Sequence, residues 1–212
     1  SNSVVSVMCV QSQEIVAEFA NAKVPPYDLA RMVCAAAIWI GGSRNGGRPL
    51  IVWEAQGPGF DFGRQLMKTY QYPRFYMDRA TGTLAEKRTN KGGWHSTAEK
   101  KEIGLGMLRR AYAMGGIIHH SREALDEAKT YIYLEGGTLG PACLMNESAA
   151  ANKTHGDRVI SVMLCVMGMD EVATHKAKAV SAPMWSPAWR KRQRRREQVK
   201  AKRGAGTYDW RG

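Results

Sequence analysis

Two carboxylates in this chain stand where acids do chemistry. Glu54 closes the apolar run Leu50–Ile51–Val52–Trp53, and Gly57–Pro58–Gly59 follows at once. A short, wholly apolar run reads as a strand covered on both faces. An acid at the carboxyl end of such a strand faces the crevice where open α/β sheets bind ligands. The Gly-Pro-Gly turn beside it lets backbone or substrate come close. Asp157 lies in Thr154–His155–Gly156–Asp157–Arg158, ahead of an apolar stripe at Val159, Val162, Met163 and Val166. That spacing predicts an amphipathic helix over residues 154–169, with Asp157 in a first turn held against a sheet.

Acids that converge from positions as distant as 54 and 157 suit hard divalent cations. Magnesium and manganese prefer oxygen ligands and keep open positions for phosphate and water. Two such ions about 4 Å apart can activate a water and stabilise the leaving oxygen in phosphodiester hydrolysis. His155 is placed to orient water or meet phosphate, and Asp78 and the pair His119–His120 follow short strand-like runs as outer members of such a site. Lys153 and Arg158 flank Asp157 and could meet DNA phosphates. No G-x-x-x-x-G-K-[ST] run occurs, so the chain carries no sign of an ATP site, and no G-x-S-x-G elbow supports a serine hydrolase.

The elements that must position these residues follow from pattern. Val4–Val10 and Glu14–Phe19 read as a hairpin. Pro25–Pro26 opens a helix over Tyr27–Trp39, which the Gly/Asn-rich run Gly41–Gly47 ends. Phe60–Tyr70 reads as a helix, Arg74–Met77 as a strand, and the polar, Gly-rich residues 80–93 as a loop. Ser96/Thr97 starts a helix to Ala113, stopped by Gly115–Gly116. Ile117–His119 is a brief strand, Ser121 caps a helix through Lys129, and Tyr131–Leu134 is extended. Strands alternating with helices predict an α/β fold, with a mixed sheet and an antiparallel hairpin at one side.

The net charge of +12 is unevenly spread. From Arg190 to Arg211 ten Lys/Arg face two acids, a net +8 that leaves +4 for the rest of the chain. Its core is the run Arg190, Lys191, Arg192, Arg194, Arg195 and Arg196. Such a tail suits a polyanion, nucleic acid first. Residues 1–180 are expected to form one domain and 181–212 a basic, unstructured arm. Cys9, Cys34, Cys143 and Cys165 are scattered without finger spacing, which predicts reduced thiols rather than zinc. No apolar run reaches the roughly 18 residues of a membrane span, and the amino-terminal residues show no signal peptide.

The order of these motifs resembles the nuclease domain of phage terminase large subunits. Trp53–Gly59 resembles that family's strand-end E-x-N-x-x-G motif, and Gly93–Thr97 its G-W-x-T segment. Residues 127–142 resemble its acid, aromatic strand and Gly-rich turn. Thr154–Val159 resembles its H-x-D before the last helix. The resemblance spans residues 3–170. It implies a ribonuclease H-like mixed sheet flanked by helices, and two-metal-ion (Mg2+ or Mn2+) endonucleolytic cutting of double-stranded DNA during genome packaging. It also implies a portal protein, a small terminase subunit and an upstream ATPase domain as partners, and the host cytoplasm as the compartment. Glu54 matches the second metal-binding acid of the family and Asp157 the third. The first is an Asp ending a strand that precedes the hairpin, and no Asp occurs here before Asp28. The resemblance therefore implies that the first strand and its Asp are not in this chain, and that the chain alone cuts DNA poorly. Two other readings stand beside it: another ribonuclease H-like nuclease such as a junction resolvase, and a non-catalytic nucleic-acid-binding protein acting through its tail.

Overall fold

Residues 3–41, 47–80, 88–134, 139–142 and 156–174 are described in a computed structural model. The hairpin forms as the sequence predicts: β1 (Ser3–Cys9) pairs antiparallel with β2 (Glu14–Asn21). Val7 faces Ala17 but Met8 faces Ile15, so Val16 is an extra residue on β2. Such a bulge re-aims the strand, and it allows Ile15 and Glu18, three positions apart, to share one face. β5 (Ile118–His119) joins β2 in parallel and completes a three-stranded sheet in the order β1-β2-β5.

α1 (Pro26–Gly41) buries Ala30, Cys34 and Ala37, the i, i+4, i+7 stripe of one helix face. That face meets Ile51, Trp53, Ala55, Phe62, Leu66 and Tyr72 in one of two apolar clusters. The run from Leu50 is extended, yet among the described residues it is held by two isolated parallel bridges, Ile51 to Phe75 and Glu54 to Trp94, rather than by a full ladder. Its covering is as expected. Ile51, Trp53 and Ala55 are buried in the α1 cluster, while Val52 packs against the second cluster on the opposite face.

α2 (Pro58–Arg64) begins on the Gly-Pro-Gly turn itself and passes into a π-helical turn at Gln65–Thr69. β3 (Met77–Arg79) pairs antiparallel with β4 (Arg88–Gly92). Part of the predicted loop 80–93 is therefore a strand. Its sequence, Arg-Thr-Asn-Lys-Gly, has neither apolar alternation nor β-branched enrichment, and backbone pairing with β3 supplies what pattern does not.

α3 (Ala98–Ala113) starts where predicted, with Thr97 Oγ1 accepting from Lys100 N at 3.2 Å. It ends in a Gly115 held at φ 63°, the left-handed geometry that glycine adopts without strain. α4 (Arg122–Lys129) is capped by Ser121, which accepts from Ala124 N. β6 (Tyr131–Tyr133) and β7 (Leu139–Pro141) form a small antiparallel pair. α5 (Asp157–Thr174) packs on α3, β1 and α4. Its predicted stripe, Val159, Val162, Met163 and Val166, is buried in the second cluster with Ile15, Tyr76, Trp94, Leu105, Leu108 and Ile117. Gly104 lets α5 approach α3, since a Cβ there would lie 2.6 Å from Met163 Sδ.

The fold is mixed α/β, with small mixed sheets among the described residues. No described helix is long and apolar enough to cross a membrane. Cys9, Cys34 and Cys165 are free thiols, while Cys143 lies outside the described residues. The chain divides into units Ser1–Thr174 and His175–Gly212, and the second, with the whole basic run from Arg190, lies outside the described residues.

Candidate active site

Glu54 owes its place to the backbone around it. Ile51 N–H donates to Arg74 O (3.1 Å) and Ile51 O accepts from Tyr76 N–H (2.9 Å). Two residues on, Trp53 O accepts from Trp94 N–H and Ala55 N–H donates to Trp94 O, both at 2.8 Å. Gly93 N–H to Tyr76 O (2.8 Å) joins these two neighbours into one composite edge. With odd-numbered side chains buried beneath α1, pleat alternation puts Glu54 on the Val52 face. Gly59 fits against the carbonyl of Glu54 so closely that a Cβ would overlap the oxygen. The Glu54 side chain is 32% exposed, and Lys101 Nζ of α3 stands 3.8 Å from its Oε1. A cation therefore already faces this carboxylate. Gln56 Nε2 donates to Ser96 O at 2.6 Å and ties the turn to the start of α3.

Asp78, in β3, is buried and engaged. Lys100 Nζ lies 2.9 and 3.0 Å from its two oxygens, and His95 N–H donates to Oδ1 at 3.3 Å. Both side chains of the ion pair are withdrawn from water, Asp78 at 7% and Lys100 at 14% exposure. The pair fastens β3 to the first turn of α3, and Asp78 has little capacity left for a metal.

Asp157 opens α5 after Gly156, whose φ of 76° and tight contact with the Tyr131 hydroxyl leave no room for a side chain. Glycine cannot cap a helix with a side chain, and a residue of α4 takes over. Glu127 Oε1 accepts from the N–H groups of Arg158 (2.9 Å) and Val159 (3.1 Å). Burial is the main cause that pushes the Glu127 pKa up, and the Asp157 charge adds to it. The two N–H groups and the Arg158 charge pull the other way. Two acids thus serve the start of α5, Asp157 within its first turn and Glu127 through the N–H groups of Arg158 and Val159.

A further cluster sits behind this turn. Arg158 pairs with Glu18 of β2, and Ser121 Oγ donates to the same Glu18 oxygen at 3.0 Å. Glu18 Oε2 and His119 Nε2 are both buried without a hydrogen-bond partner, 3.7 Å apart. His119 Nδ1 is 2.9 Å from the Tyr112 hydroxyl. Burial is the main cause holding His119 below its ordinary pKa, against the pull of Glu18, and burial pushes Tyr112 up to about 12. Arg158, expected at a phosphate, is instead occupied by Glu18. His120 lies outside the cluster and pairs with Glu14 at 2.7 Å.

Of the predicted residues, Glu54 thus faces Lys101, and Asp157 lies in the first turn of α5, whose next two N–H groups Glu127 caps. His155 and Lys153 lie outside the described residues. Among the described residues no group of three or more His, Cys, Asp or Glu is arranged to hold a metal ion. Glu18 and Lys101 were not expected from the sequence, and Glu127, the acid that opens the stretch 127–142, was expected there without its capping role. A helix starting at residue 154 puts Gly156 inside it, so the sequence gives no sign that the helix opens on a glycine and takes its cap from Glu127. No protein-family model matches the chain, and no curated protein matches it.

Proposed function

We propose that this chain is the nuclease domain of a viral DNA-packaging terminase, of ribonuclease H-like fold, contributing Glu54 and Asp157 to a two-metal-ion site for hydrolysis of DNA phosphodiester bonds. The observation that carries the reading is Glu54 itself: a partly exposed carboxylate at the end of a doubly covered extended segment, beside a glycine turn that presses against its own carbonyl and with a cation already facing it. The order of elements supports it, with an antiparallel hairpin, a helix, the covered segment and a last helix opening on Asp157. The carboxylates of Glu54, in place of its contact with Lys101, and of Asp157 would hold Mg2+ or Mn2+. The metals would supply a polarised water and a counter-charge for the leaving oxygen. The partners on this reading are double-stranded DNA, the portal, a small terminase subunit and an ATPase domain, in the host cytoplasm.

Such chemistry ordinarily uses at least three carboxylates, so metal binding is the primary readout. Titration of Mn2+ into the whole chain, followed by electron paramagnetic resonance, should show binding that Glu54→Gln and Asp157→Asn each weaken by at least the roughly tenfold that losing even a residue supporting a metal ligand costs. Mn2+ binding unaffected by both substitutions would refute the site. Plasmid cutting by the chain alone is expected to be weak. Robust cutting lost in Glu54→Ala would keep the nuclease and remove the need for an acid from outside the chain.

A further inference from the structure

Phe60 is the first residue of α2 past the glycine that abuts Glu54, and it is 58% exposed. Two residues away Phe62 is buried against Trp53, so α2 has an apolar place for a ring and Phe60 is not in it. Its neighbour is the His95 ring, with centroids 6.2 Å apart and planes at 58°. His95 follows Trp94, whose two 2.8 Å backbone bonds fix it to Trp53 and Ala55, and its own N–H is held by Asp78. Both rings are therefore tied by short, hydrogen-bonded backbone to the end of the segment that carries Glu54.

Two exposed cations stand on the neighbouring segments, each paired with an acid. Lys101 stands 3.8 Å from Glu54, and Arg64, one helical turn beyond Phe60 on the same face of α2, pairs with Asp61 at 2.9 Å in an ion pair whose side chains are 63% and 61% exposed, open to exchange for a phosphate. Exposed Lys68 and Lys91 follow Arg64 and precede His95 in sequence. Aromatic faces set among cations match one ligand chemistry in particular: a nucleobase, with a π-face to stack and phosphates on either side to meet the cations. A paired base inside a duplex has its faces already covered by its neighbours, so the platform favours a base free of the stack.

We infer that Phe60 and His95 form a stacking platform for an unpaired nucleobase beside Glu54, with Lys101 and Arg64 meeting the flanking phosphates, so that the chain engages a single-stranded or locally opened stretch of nucleic acid. This deepens the nuclease reading by naming the local form of its substrate. The binding itself requires neither metal nor cleavage.

The test uses the whole chain in chelator-containing buffer at physiological salt, with fluorescence anisotropy of a labelled oligothymidylate and of a duplex of equal length. Phe60→Ala should weaken oligothymidylate binding about 5- to 100-fold, the worth of one stacked base, and leave duplex binding unchanged. Phe60→Tyr should bind as the wild type does, because a phenol presents the same face. His95→Ala keeps the backbone bond to Asp78 and should show a smaller loss in the same direction, which guards against a misfolded Phe60→Ala. The inference is overturned if the wild type binds neither probe, if Phe60→Ala binds oligothymidylate as tightly as the wild type does, or if single-strand and duplex affinities fall together. Failure of the Mn2+ titration would remove the nuclease reading and leave this result standing, and the reverse also holds.

Discussion

The cap that α4 lends to α5 is the most exacting test of the packing. In Glu127→Ala, the N–H groups of Arg158 and Val159 lose their acceptor at 2.9 and 3.1 Å. Val159 is buried, so at least one of these donors is left without water. Loss of a capping acceptor costs about 0.5–2 kcal/mol, and a buried donor left unpaired about 1–3 kcal/mol. The two figures describe the same N–H groups and so overlap, and removing a buried carboxylate returns part of the loss, so a net cost of about 1–3 kcal/mol is expected. For a domain of this size each kcal/mol lowers Tm by about 2–4 °C. Thermal unfolding followed by circular dichroism should therefore show Glu127→Ala melting about 2–12 °C below the wild type. Glu127→Gln keeps an oxygen acceptor and sheds the buried charge, so it should stay much closer to the wild type. A Glu127→Ala protein that melts with the wild type, or a Glu127→Gln protein as damaged as Glu127→Ala, would refute the cap.

Two further outcomes follow from buried polar contacts. Lys100→Met strands the Asp78 carboxylate with only the His95 N–H, and should cost about 3–5 kcal/mol in urea unfolding; adding Asp78→Asn should recover most of it, and no recovery would mean that Asp78 matters for something other than the pair. His119 is faced by Glu18 from β2, Tyr112 from α3 and its neighbour His120, with Arg158 of α5 on the far side of Glu18. Its folded pKa is below 6.5, so the unfolded chain takes up the proton first. The stabilisation is complete above pH 6.5 and is lost as pH falls from there through the folded pKa, with a slope of at most about 1.4 kcal/mol per pH unit. Glu127, with a raised pKa, has the opposite slope above its ordinary value of 4.5, so the check is the difference in urea stability between wild type and His119→Gln. A difference that does not change between about pH 7.5 and 5.5 would sink the claim.

What the sequence disclosed was local or periodic. Thr97 and Ser121 announce their helices because a cap acts within three residues. The stripe from Val159 to Val166 announces a buried face, and the run before Glu54 a segment covered on both sides. What stayed hidden was set by partners far along the chain. β4 is a strand by virtue of β3 and not of its own polar residues. The single mixed sheet of the sequence reading is represented by a three-stranded sheet, two small pairs and the bridges at Ile51 and Glu54. Asp78 looked like an outer acid of the site because nothing in its neighbourhood reveals that Lys100, 22 residues on, is folded back onto it. Arg158 looked free for phosphate because Glu18 is 140 residues earlier.

The bulge at Val16 reaches further than the hairpin. It is what lets Ile15 enter the core while Glu18 meets Arg158. The first turn of α5 thus depends on β2, 140 residues away, and on α4, 31 residues away, and its middle on β1, where Ser161 and Cys165 reach Ser6 across 155 and 159 residues. Loop closure makes distant partners slow to arrive. α5 should therefore dock late in folding along its whole length, once the hairpin that carries both Ser6 and Glu18 has formed.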